Sequence, residues 1–265
     1  MEFFSSIDHT PIHISDSGKG DKVIFFLHGY LETLYIWEEF IDLLPEDFRT
    51  IVIDLPGQGL STSHPEANTM EFCSNIIVGV LDLLKIENCI LVGHSMGGYI
   101  AQTCMKLFPD RILAIANFNS NPYADDPSKK DDRLKEISFI ESGKLMSLAS
   151  IAIPNMYSPE NAILLENKIQ ETVENCDTHD PAGIVATIKG LILRENNTEF
   201  LASSPKPILF ILGDKDKYLP SEKIDQIKKD IPNAKYLIIK ETGHNSFIEQ
   251  PQAVADGFID FVNSL

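Results

Sequence analysis

Apolar residues follow two alternating rhythms along this chain. A continuous apolar run at 23–27 and mostly apolar segments at 50–55, 89–92, 112–118, 207–212 and 235–239 have the length expected of strands covered on both faces. Between them the apolar positions take helical spacing. Trp37, Phe40, Ile41 and Leu44 share one stripe within 34–44. Cys73, Ile76, Ile77, Val80, Leu81 and Leu84 share a second, with Asn68 and Glu71 three residues apart as its expected start. Residues 97–108 read as a third helix, and Val254, Phe258, Phe261, Val262 and Leu265 mark a closing one. Two short strands, 3–7 and 11–15, flank a turn at Asp8-His9-Thr10. Strands alternating with helices predict an α/β fold with a mostly parallel sheet and helices on both faces.

The rhythm breaks between residues 122 and 203, where no strand is readable. Ser158-Pro159 and Asp180-Pro181 have the form of helix starts, a capping side chain followed by a first-turn proline. Ile184, Ile188, Leu191 and Ile192 form a helical stripe, placed by preference on a core, with a pocket wall as the alternative. Asp125-Asp126-Pro127 and Asn196-Asn197 read as loop edges. The expected organisation is one α/β core made of 1–121 and 204–265, with 122–203 inserted as a helical cap.

Composition narrows the partners. The chain has 265 residues and a formal net charge of -17, which disfavours a nucleic-acid partner. No run of about eighteen apolar residues is present, so no membrane span is expected. The start, Met1-Glu2-Phe3-Phe4, lacks the basic head and apolar middle of a signal peptide. Cys73, Cys89, Cys104 and Cys176 form no CxxC pair, which suits buried reduced thiols and no structural zinc. A cytoplasmic location is the expectation.

The chemistry begins at Gly93-His94-Ser95-Met96-Gly97, which ends one predicted strand and opens the next helix. A sharp strand-to-helix turn strains the backbone at Ser95 and needs small neighbours. It also sets the serine at a helix N-terminus, whose dipole and free N–H groups favour a developing oxyanion. A serine hydroxyl is a weak nucleophile and needs a base. His244, in Glu241-Thr242-Gly243-His244-Asn245, follows a strand at the same sheet edge and is the best placed of seven histidines. His94 should be turned away by the sharp bend, and His28 should support its own loop. The base needs an orienting carboxylate, and Gly213-Asp214-Lys215-Asp216 offers two at the right edge.

The order Ser95, Asp216, His244 resembles that of the α/β-hydrolase fold superfamily, in its capped esterase and C–C hydrolase forms. The matching pieces span nearly the whole chain. They are His28-Gly29-Tyr30, Asp54-Leu55-Pro56-Gly57-Gln58-Gly59-Leu60-Ser61, Gly93-His94-Ser95-Met96-Gly97-Gly98, Gly213-Asp214-Lys215-Asp216, and Gly243-His244 followed by Glu249-Gln250-Pro251. The resemblance implies a sheet of about eight strands, and Asp216 as the acid with Asp214 as alternative. It implies an oxyanion hole from the backbone N–H groups of Tyr30 and Met96. The Tyr30 side chain either faces substrate or packs on the cap. Gly57, Gly59 and Ser61 are expected to shape a loop. Serine at position 95 argues against haloalkane dehalogenase and epoxide hydrolase chemistry, whose relatives place an aspartate there. The expected reaction is hydrolysis of a small-molecule carboxylic ester through an acyl-enzyme, with no metal or organic cofactor. C–C bond hydrolysis, thioester hydrolysis, a lyase step like that of menaquinone biosynthesis, and a non-catalytic small-molecule receptor stay open, as does the oligomeric state.

Overall fold

Strands that are apolar on both faces must pair side by side and take cover on each side. In the computed structural model, which describes residues 1–265, the chain does this with eight strands. They are β1 (Glu2–Ile7), β2 (Thr10–Asp16), β3 (Lys22–Leu27), β4 (Phe48–Ile53), β5 (Cys89–His94), β6 (Ile112–Phe118), β7 (Ile208–Gly213) and β8 (Lys235–Ile239). The sheet order is β1-β2-β4-β3-β5-β6-β7-β8. Only β2 runs against its neighbours, β1 and β4; all other pairs are parallel. From β3 the chain steps to β4 on one side and to β5 on the other. The crevice past the carboxyl ends of β3 and β5 is therefore a topological switch point, where open α/β sheets bind ligands.

The helices of the core are α1 (Glu38–Ile41), α2 (Met70–Leu83) and α3 (Met96–Leu107) in the first half. Between β6 and β7 lie α4 (Pro127–Glu141), α5 (Leu145–Ala152), α6 (Pro159–Leu164), α7 (Glu166–Asn175), α8 (Pro181–Leu193) and α9 (Thr198–Ser203). After β7 come α10 (Ser221–Asp230), α11 (Ser246–Glu249) and α12 (Pro251–Asn263). Alternation along β3 divides the core. Phe25 and Leu27 face α2, α3 and α10, while Ile24 and Phe26 face α1 and α12. None of the helices is long and apolar enough to cross a membrane.

Three local readings shift, each because a backbone or side-chain group is used elsewhere. The helix expected over 34–44 is a 3-10 turn at Leu34–Trp37 followed by the single turn of α1. Pro45 disfavours helical backbone at Leu44. Trp37 and Phe40 instead join Phe26, Phe118, Phe247 and Phe258 in one aromatic cluster. The strand expected over 50–55 ends at Ile53, because the Leu55 N–H donates to His28 Nε2. Thr69, and not Asn68, caps α2 by accepting from the Phe72 N–H. The Asn68 amide donates to the Pro56 carbonyl at 2.9 Å and to Thr187 Oγ1 at 3.0 Å, joining α8 to the core.

The segment between β6 and β7 holds no strand. Ser158 and Asp180 cap α6 and α8 as their dipeptides indicate. Asp126, placed with the loop edge by the sequence, caps α4 in the same way. Ile184 and Ile188 are fully buried in a small core that this segment forms with Leu31.

Gly190 of α8 lies where an added Cβ would overlap the Asn68 carbonyl and amide backbone. Alanine in place of a helical glycine normally stabilises by roughly 0.5–1 kcal/mol. At this position the sign should reverse: Gly190→Ala should lower the urea midpoint relative to wild type. A raised midpoint would mean that α8 is free to move off Asn68.

Candidate active site

The turn from β5 into α3 places Ser95 at φ 49° and ψ −110°, a strained backbone for a residue with a side chain. The strain is held from both sides. The Ser95 N–H donates to the Phe118 carbonyl at 2.9 Å, and Ser120 Oγ donates to the Ser95 carbonyl at 2.7 Å. A Cβ on Gly93 would run into the backbone of Gly97 and Gly98, so glycine is required for the close approach within the turn.

His244 reaches Ser95 from the loop after β8. Its Nε2 lies 2.8 Å from Ser95 Oγ, and its Nδ1 lies 2.7 Å from Asp216 Oδ2. An ionised carboxylate can only accept, so Nδ1 carries a proton and, in the neutral imidazole, Nε2 is the acceptor for the serine hydroxyl. Burial by itself would raise the Asp216 carboxyl. The His244 ring, the Asn119 amide and the Tyr218 N–H hold it below the usual carboxylate value of 3.8 instead. Asp214 is turned away; it accepts from the Glu241 N–H at 2.6 Å and pairs with Lys240.

Two backbone donors adjoin this relay. The N–H of Met96 opens α3 and the N–H of Tyr30 follows β3, and neither donates a hydrogen bond within the chain. The Tyr30 loop is held in shape around that free donor. Gly29 N–H donates to Glu32 Oε2 at 2.6 Å, and Leu31 N–H donates to Gln58 Oε1 at 2.7 Å. His28 Nδ1 donates to the Gly29 carbonyl at 2.7 Å, and its Nε2 accepts from Leu55, so His28 supports its loop. The Tyr30 side chain packs on the helical segment and lines the cavity over Ser95.

Several supporting residues carry no local sequence signal. His94 Nδ1 lies 2.9 Å from Glu32 Oε2, and its Nε2 lies 3.0 Å from the His244 carbonyl. Both partners accept, so the fully buried imidazole donates from both nitrogens and pairs as a cation with Glu32. The other oxygen of Glu32, Oε1, is buried without a partner. Asn119 follows β6 at the same sheet edge as Ser95 and donates to Asp216 Oδ2 at 3.1 Å. That edge position was the one signal that could have singled it out. Glu249 accepts from the Gly243 N–H at 2.7 Å and from the Ser158 N–H at 3.0 Å, tying the His244 loop to the helical segment.

The cavity above Ser95 has a volume of about 420 Å³ and is walled by Tyr30, Met96, Tyr99, Met156, Leu191 and Tyr218 together with charged residues of the helical segment. No group of three or more His, Cys, Asp or Glu side chains is arranged to hold a metal ion. All four cysteines are buried and unpaired.

Comparison with known proteins agrees with this geometry at the level of fold. A family model described as the alpha/beta hydrolase fold matches residues 22–251. An uncharacterized hydrolase of Bacillus subtilis is 24% identical over 92% of this chain and 90% of its own. A 2-hydroxy-6-oxononadienedioate/2-hydroxy-6-oxononatrienedioate hydrolase of Cupriavidus pinatubonensis is 26% identical over 96% of this chain and 91% of its own. Among solved structures, a malate-bound thermophilic esterase from Thermogutta terrifontis superposes with a TM-score of 0.92 at 22% identity, covering 100% of this chain and 98% of its own; the likeness is one of fold.

The Glu32–His94 pair has a definite pH signature. Burial alone would raise Glu32 and lower His94, but each charge holds the other, so Glu32 sits below its ordinary 4.5 and His94 above its ordinary 6.5. The Glu32 contribution to stability is complete above its unfolded value and is lost as pH falls through the folded one. The His94 contribution is complete below its unfolded value and is lost as pH rises through the folded one. The pair therefore stabilises most between pH 4.5 and 6.5. Glu32→Gln should cost about 3 kcal/mol in that window by urea unfolding, with the gap to wild type narrowing as pH rises through the raised His94 value. A gap that is flat with pH would mean the pair is not charged.

Proposed function

The chain belongs to the alpha/beta hydrolase fold family, and from that premise we propose that it is a serine hydrolase cleaving a small-molecule carboxylic ester through an acyl-enzyme on Ser95. One observation carries the reading: an unbroken relay from Ser95 Oγ through His244 to Asp216, with contacts of 2.8 and 2.7 Å, opening on a cavity. A serine triad is recognised by this geometry, a nucleophile bonded to a base and the base to an orienting carboxylate.

In the proposed mechanism His244 Nε2 takes the proton of Ser95 Oγ as the oxygen attacks the ester carbonyl carbon. The N–H groups of Tyr30 and Met96 receive the oxyanion, and the N-terminus of α3 adds its dipole. The C–O bond to the alcohol breaks, and the His244 Nε2 proton goes to the leaving oxygen. Water then attacks the acyl carbon, giving its proton to His244, and the carboxylic acid departs as Ser95 Oγ regains a proton. Asp216 keeps the imidazole in one tautomer and offsets the imidazolium charge. Residues 122–203 act as a cap over this site, with the core formed by 1–121 and 204–265. No metal or organic cofactor takes part in these steps.

A second reading is hydrolysis of a carbon–carbon bond next to a carbonyl. It is favoured by the similarity to the dienedioate hydrolase, which spans 96% of this chain. Side-by-side turnover of p-nitrophenyl esters and a vinylogous diketone separates the two.

A fluorophosphonate probe should label the folded protein, and Ser95→Ala should abolish the labelling. Absence of labelling on well-folded protein would sink the serine-hydrolase reading. His244→Ala and Asp216→Asn should each lower kcat by roughly four orders of magnitude on a p-nitrophenyl ester, with the urea midpoint little changed for His244→Ala. Asp214→Asn should leave kcat within about threefold, since its partners lie outside the relay. The reverse ranking of the two aspartates would reassign the acid.

A further inference from the structure

The cavity over Ser95 carries a charge pattern unlike that of the whole chain. The net charge is -17, yet the wall has five cationic side chains against three carboxylates. Lys129, Lys217 and Lys223 are exposed at the rim, whereas Arg133 and Arg194 are buried. Asp125 accepts from Arg133 Nε at 2.6 Å through one oxygen, and its other oxygen lies in an ion pair 2.7 Å from Arg194 Nη1. One carboxylate thus serves two guanidinium groups. Arg194 is otherwise well satisfied: its Nε donates to the Tyr123 carbonyl at 3.0 Å, and its guanidinium lies over the Tyr99 ring at 4.2 Å.

Arg133 differs. It is 9% exposed, it lines the cavity, and only its Nε is bonded. Its two terminal nitrogens make no hydrogen bond within the chain. The remaining carboxylates of the wall do not supply the missing partner. Asp126 accepts from the Lys129 N–H at the start of α4. Glu136 is half-buried and lies near the Tyr30 phenol; burial first, and this carboxylate second, push that phenol well above its ordinary value. A guanidinium fork left without a protein partner at a cavity wall is matched by a carboxylate with two parallel hydrogen bonds.

We propose that Arg133, backed by Asp125 and Arg194, is the subsite for a carboxylate carried by the substrate, so that the ester attacked by Ser95 is a half-ester of a dicarboxylic acid or a comparable acyl compound with an anionic end. The proposal rests on the serine-hydrolase reading for the role of Ser95 but not for the existence of the anion subsite. Asp125 is shared by two guanidinium groups, and the wall as a whole keeps an excess of cationic side chains for an anionic ligand. The lysine rim adds a positive field that draws an anionic ligand toward the mouth.

The test is calorimetric titration of the Ser95→Ala protein, in which no turnover occurs, with monomethyl glutarate, dimethyl glutarate and inorganic phosphate in separate runs. The monoester should bind at least about tenfold tighter than the diester, and Arg133→Gln added to Ser95→Ala should reduce that preference to below about threefold. Equal binding of monoester and diester overturns the proposal, and this comparison needs no change to the arginine pair, so it stands even if R133Q fails to fold. Phosphate binding tighter than the monoester also overturns it, by moving the site to a phosphorylated ligand. Fluorophosphonate labelling of the wild type separates the two ideas. Lost labelling with the anion preference intact removes the hydrolase reading alone, and labelling without the preference removes the subsite alone.

Discussion

The buried ion pair between Glu32 and His94 is the interaction on which the arrangement of this site depends. A single carboxylate oxygen receives the Gly29 N–H and His94 Nδ1, and the far nitrogen of His94 holds the His244 carbonyl. Three loops that are distant in sequence, after β3, β5 and β8, therefore meet at one charge-assisted junction. Taking two charges out of water is expensive, and one oxygen of Glu32 is left without a partner, so a pair of this kind is a poor source of net stability. Its effect is to define position. It fixes the loop that presents the Tyr30 N–H, the residue before Ser95, and the backbone of His244 relative to one another.

The same logic extends to Asp216. Asp216 is held by the Asn119 amide, just past β6, and by the Tyr218 and Leu219 N–H groups of its own loop. Glu249 then links the His244 loop to Ser158 at the start of α6, and the His244 N–H donates to the Met156 carbonyl. The loop that carries His244 is thus braced by the helical segment as well as by the sheet. Movement of that segment would be felt at His244 and hence in the geometry of the relay.

Much of this was readable from local pattern. The strand-to-helix setting of Gly93-His94-Ser95-Met96-Gly97 singled out Ser95, because the strain and the glycines that relieve it are properties of neighbouring residues. The caps at Ser158 and Asp180 were legible for the same reason. Local pattern failed where a residue was needed elsewhere. Asn68 has the chemistry of a cap but spends its amide on Pro56 and Thr187. The stripe Trp37, Phe40, Ile41, Leu44 fits a helix, yet Pro45 and the aromatic cluster leave only a turn of it.

By itself, then, the sequence determined the α/β alternation, the strained serine turn, and the order in which serine, acid and histidine follow their strands. Each of these rests on spacing, backbone preference or turn chemistry within a few residues. Only the tertiary structure set Asp216, and not Asp214, against His244, since the two differ by which way a short loop carries them and not by type. Only it joined Glu32 to His94 across sixty-two positions and set Arg133 beside Asp125 over the serine. Those juxtapositions come from long-range packing of loops and of an inserted helical segment on the sheet, and a one-dimensional pattern does not encode which distant side chains share a cavity.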